Sequence, residues 1–154
     1  MSIAGRAAGL ATVTALFAAT GCSTPEEQGL DAPAATARSY VDEAASGFAD
    51  AFRGAPGRRG VEEFADRLAT EDSGSLQVVV LSRDATPTSG EIGMAVYSEA
   101  GGSRDGDPFG HWTIRMCVTL VAEGAADPEV TVERRACPDI PDPSGMDVDA
   151  TVDY

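Results

Sequence analysis

The chain holds 154 residues, enough for one domain of ordinary size, and its 25 acidic residues against 11 basic ones give a formal charge of −14. Every basic residue is Arg, and neither Lys nor Asn occurs. Lysine Schiff bases, phosphate-loop lysines and asparagine-linked glycans are therefore excluded. So acidic a surface repels phosphate backbones, and no nucleic-acid partner is expected.

In chain order, Arg6 is the first charge, and residues 7–20 are uncharged and largely apolar through Leu10, Val13, Leu16 and Phe17. Small residues follow in Ala19-Thr20-Gly21-Cys22. A basic start, a short apolar run and a small-residue cut site define residues 1–21 as a secretory signal peptide. The run is too short and too interrupted by threonine to serve as a membrane span.

Ala19-Thr20-Gly21-Cys22 resembles the lipobox of bacterial lipoprotein precursors, of the actinobacterial type given the all-Arg, Ala-rich composition. That resemblance implies a diacylglycerol on the Cys22 thiol, cleavage just before it, and a membrane partner reached through the lipid. It places the protein outside the cytoplasm, on the outer face of the cell membrane. Ala19 stands where the family usually has Leu, and the same small residues would serve an ordinary signal peptidase, which cuts at the same bond but leaves no lipid. Three cysteines make one pair and one spare, which favours a lipid on the spare.

Residues 22–35 read as a lipidated flexible tether. Pro25, Glu26, Glu27, Asp31 and Pro33 surround a single sizeable apolar side chain, Leu30. Such a stretch buries too little to offset ordering its backbone, and about 13 mobile residues reach about 20 Å.

Residues 36–137 read as the folded domain. Thr36 is suited to cap a helix, behind which Tyr40, Val41, Ala44, Ala45, Phe48 and Phe52 form one apolar stripe. Gly54-Ala55-Pro56-Gly57 ends that helix, and Val61, Phe64, Ala65 and Leu68 repeat the pattern in a second. Residues 76–82 are β-branched with apolar side chains on both alternating sets, which suits an interior strand. Ile92, Met94 and Val96 mark a second strand, and residues 100–110 a Gly/Asp/Pro loop. A third strand alternates Trp112, Ile114, Met116, Val118, Leu120 and Ala122 with Thr113, Arg115, Cys117, Thr119 and Val121. The chain turns near Asp127-Pro128 and returns over residues 130–137. The expected fold is α+β, with two N-terminal helices packed on one face of a four-stranded antiparallel sheet.

A disulfide between Cys117 and Cys137 fits this hairpin. If the two are directly opposed, Leu120 faces Arg134 and Val121 faces Glu133, with both cysteines on the more polar face. No C-x-x-C is present, so a metal or redox role is not expected, and the pair matches an oxidising compartment. Residues 138–154 read as an acidic, flexible tail in which no basic residue balances Asp139, Asp142, Asp147, Asp149 and Asp153. A short strand over residues 148–152 is the alternative.

Catalytic signals are thin. His111 is the only histidine, and Ser103 in Gly101-Gly102-Ser103-Arg104-Asp105-Gly106 misses the nucleophile elbow at Asp105 and lies between strands. Asp105-Gly106-Asp107 is an ordinary turn. No catalytic residue, metal or cofactor is assigned, and the expected role is a non-enzymatic binding or scaffolding module of the cell envelope, toward an unidentified envelope protein. The order of helices and sheet also resembles NTF2-like domains. That resemblance implies a small-ligand carrier or degenerate enzyme, with a pocket between helices and sheet lined by Phe48, Met94 and Trp112. A deep pocket with a buried carboxylate would favour the second role, and a filled core with exposed apolar surface the first.

Overall fold

The computed structural model describes residues 25–71, 73–104, 107–143 and 146–154. The expected signal peptide, Cys22, Asp105 and Gly106 lie outside the described residues. Helix α1 (Pro25–Gly54) and helix α2 (Arg58–Leu68) precede strands β1 (Leu76–Ala85), β2 (Ser89–Arg104), β3 (Asp107–Glu123), β4 (Glu129–Arg134) and β5 (Ala150–Val152). The sheet runs β1-β2-β3-β4 with antiparallel neighbours, and β5 joins β3 in parallel. β4 pairs with residues 118–123 of β3 and β5 with residues 114–116, so the two short strands share one edge end to end. The helices are N-terminal to the sheet and pack on one face, as expected for the α+β class.

The apolar stripe of α1 supplies Val41, Ala44, Phe48 and Phe52 to the core, and α2 adds Val61, Phe64, Ala65 and Leu68. They meet Ile92, Met94 and Val96 of β2 and Ile114, Met116, Val118, Leu120 and Ala122 of β3. Gly90 makes this approach close enough: a Cβ there would stand 2.6 Å from Val61 Cγ2 and 2.7 Å from Phe52 Cε2. Phe48 contacts both Phe52 and Phe64, with ring centroids 6.0 and 5.2 Å apart.

Several expectations are corrected. α1 begins at Pro25 rather than Thr36, and Thr36 caps nothing: its hydroxyl donates to the Ala32 carbonyl one turn back. Residues 25–35 are therefore helix rather than tether. Ala34 and Ala37 are buried and Leu30 packs on the core, so small side chains do the packing that large ones do further along. Pro33 forgoes one helical N–H without ending the helix.

β1 is an edge strand, not an interior one. Both of its side-chain sets are apolar because both sheet faces are covered. On the face away from the helices, Ala95, Tyr97 and Cys117 form a second cluster with Val79, Leu81, Cys137, Met146 and Val148. The supposed tail supplies that cover. Its carboxylates find arginines that are remote in sequence: Asp142 meets Arg115 (3.2 Å), Asp149 meets Arg104 (2.5 Å) and Asp153 lies 3.8 Å from Arg134. The last residues return to α1, where Arg38 donates to the Asp153 carbonyl and the Tyr154 hydroxyl donates to Asp42.

The β3–β4 register also differs by two residues. Leu120 faces Val132 and Ala122 faces Val130, whereas the expected pairing set Arg134 against Leu120. A two-residue slip keeps Val130 and Val132 on the same face but sets them opposite Ala122 and Leu120, and Gly124, at φ 90°, opens the turn before Pro128. Cys117 and Cys137 do lie at disulfide distance, with S–S 2.02 Å and Cα–Cα 5.3 Å. They are not opposed in the ladder. Arg135 N–H donates to the Cys117 carbonyl, and the chain then folds back so that Cys137 sits over the outer face.

Candidate functional site

Of the residues expected to line one pocket, Phe48 and Met94 share the main core and Trp112 lies apart from it. Phe48 and Met94 are completely buried in the main core. Trp112 lies at the far end of the sheet against α1, where a Cβ on Gly29 would collide with the indole. Its Nε1 donates to the Ser103 carbonyl (3.4 Å), and the Arg104 guanidinium stacks 5.1 Å from its ring.

Residues 100–110, expected as a loop, instead extend β2 and β3 into a long hairpin whose pairing reaches Arg104↔Asp107, with a bulge after Gly102. β1 leaves β2 at Ser98, and β5 meets β3 only from Ile114 onward. Beyond Ala100 and Trp112 no third strand pairs with them among the described residues, and the two form a ribbon tied back by Arg104 to Asp149. His111 lies on this ribbon, not at a strand end, and its Nδ1 pairs with Glu99 (2.9 Å) rather than with Ser103. Phe109 is 83 % exposed near the tip. The Phe109 N–H donates to Asp107 Oδ1 (2.9 Å), which fixes the backbone that presents the ring. Among the described residues no three His, Cys, Asp or Glu side chains converge on a metal position.

An open groove of about 680 Å³ lies between α1, α2 and the start of β1. Ala44, Phe64, Leu68 and Leu76 supply its apolar lining, and Tyr40, Glu43, Arg67 and Glu71 its polar groups. The Tyr40 hydroxyl donates a hydrogen bond to Glu71. Burial, then that bond, push the Tyr40 hydroxyl well above its ordinary pKa, so it remains a neutral donor through neutral pH. Arg67 lies 4.6 Å over the Phe64 ring. Such an arrangement can hold a small amphipathic molecule or an apolar side chain of a partner. Tyr40 was legible only as part of the helix stripe. Glu71 and Arg67 carried no signal, since their convergence needs the α2-to-β1 crossover.

On the outer face, the buried Tyr97 hydroxyl finds no partner at hydrogen-bonding geometry among the described residues, and its pKa is raised by desolvation first and by nearby Asp142, with Arg115 opposing. Arg135 reaches across Gly93 to the Ser82 hydroxyl (2.7 Å), a path that a side chain at Gly93 would block. The chain matches no protein-family model, no curated protein and no solved structure.

Proposed function

We propose that the protein is a cell-envelope lipoprotein, anchored through Cys22 to the outer face of the membrane and acting there as a non-enzymatic binding or scaffolding module. The observation that carries this reading is the pairing of Cys117 with Cys137. A disulfide suits an oxidising compartment, and it leaves Cys22, at the end of a leader-like segment, as the odd thiol. Close packing around Phe48 and Met94 supports a module that works through its surface. The test is the intact mass of membrane-extracted protein. A diacylglyceryl adduct on Cys22, lost in Cys22→Ala, is expected; unmodified protein released to the medium would defeat the reading.

A second reading, a small-ligand carrier, is favoured by one observation, the groove between the helices and β1. Native mass spectrometry should then detect a molecule retained by the extracted protein and lost when Leu76→Arg fills the groove.

A further inference from the structure

We propose that the tip of the β2–β3 hairpin is a second membrane contact, in which Phe109 enters the lipid interface beside the anchor. This rests on the reading of Cys22 as lipidated and deepens it by fixing which end of the domain meets the bilayer.

The direction follows from two contacts at opposite ends of α1. Phe52, near its C-terminus, packs at Gly90 where β2 begins, while Gly29, near its N-terminus, packs on Trp112 at the root of the hairpin. The start of α1 and the hairpin tip therefore share one end of the molecule. Pro25 lies four residues before Gly29, about 6 Å further along the helix axis. Phe109 lies three residues before Trp112, about 10 Å further along the strand. Cys22 precedes Pro25 by three residues, and three peptide steps span at most about 11 Å. A lipid on Cys22 leaves no long leash: it draws the first turn of α1 to the headgroups, and the hairpin tip reaches the same level.

What stands there suits an interface. Phe109 is the large apolar side chain exposed among the described residues, on a ribbon clamped at its root by Trp112 and held at its tip by Asp107. An exposed Phe gains by entering the boundary between headgroups and acyl chains. Arg104 pairs with Asp149 and Glu99 with His111, while Asp107 accepts the Phe109 N–H. The net charge of −14 opposes the chain's lying flat on anionic lipid, which leaves contact through one end beside the anchor. A protein partner would leave Phe109 in water on a pure lipid surface, which the test separates.

The lipidated chain carrying Phe109→Trp is reconstituted in phosphatidylcholine vesicles, after its mass has been read for the Cys22 adduct. At an exposed site this substitution spares the core. With the adduct present, the emission added over wild type should move to shorter wavelength and fall at least twofold with brominated acyl chains. If the adduct is present but that emission stays water-like and equally open to iodide with and without vesicles, the hairpin contact is refuted while the anchor stands. Absence of the adduct overturns both.

Discussion

Removing the cross-link between Cys117 and Cys137 tests how the outer face is held. The bond closes a loop of sequence separation 20, for which chain entropy gives about 3 kcal/mol of stabilisation at 25 °C. Two features of the structure modulate that value. The β3–β4 turn already restrains the unfolded chain, which lowers it. Cys137 also starts the covering segment, so its release frees the contact of Met146 and Val148 with Ala95 and Tyr97 at one end only. The other end remains held by Asp149 and β5. The expected loss is therefore about 2–3 kcal/mol, or roughly 5–12 °C in Tm for a chain of this size. A chain beginning at Ser23 avoids the third thiol, and its melting is followed by circular dichroism with and without reductant. Cys117→Ala/Cys137→Ala should melt lower still, since deleting the buried sulfur adds roughly 1 kcal/mol of lost packing. Reduced and oxidised proteins melting within 1–2 °C (roughly half a kcal/mol) would refute the reasoning. The covering segment would then be fastened by its ion pairs and strand alone.

Three further outcomes are expected. Gly90→Ala should cost about 1–3 kcal/mol in urea unfolding, because its Cβ would press on Val61 and Phe52; an unchanged midpoint would show that the helices float above the sheet. Asp149→Ala should cost about 2 kcal/mol and strip the Thr113 amide of hydrogen-exchange protection, since that nearly buried carboxylate accepts from Thr113 N–H (2.8 Å) and pairs with Arg104; retained protection would contradict the contact. Tyr40 has its pKa raised by folding, so the native state keeps the proton that the unfolded state loses. Its contribution is whole below pH 10 and declines as pH rises past 10 toward the folded value. Tyr40→Phe should flatten that alkaline decline, with Tyr97 and Tyr154 leaving a residual slope.

Periodicity made much of this architecture readable, but only where side chains are large. Val41, Phe48 and Phe52 announce α1, and the alternation from Ile114 to Ala122 announces β3. The first turns of α1 pack through Ala34 and Ala37, whose short side chains resemble linker composition beside Pro25 and Pro33. Register turned on Val130 and Val132, which fit Ala122 and Leu120 two places from where opposed cysteines would put them. Assuming that the sulfurs sat directly across from one another was the error. The acidic tail looked unbalanced because Arg38, Arg104 and Arg115 lie far upstream. The groove was least readable, since Tyr40, Arg67 and Glu71 come from separate segments whose meeting depends on the path between α2 and β1.

The clasp of Asp153 and Tyr154 onto Arg38 and Asp42 bears on the timing of assembly. These stitches join residues 115 and 112 apart in sequence, so the edge of β3 that β5 covers and the greasy underside of the sheet close only once the segment after Cys137 has met α1. Closure of that side thus depends on a long-range meeting, and a substitution at Asp42 would burden the seam without touching either core.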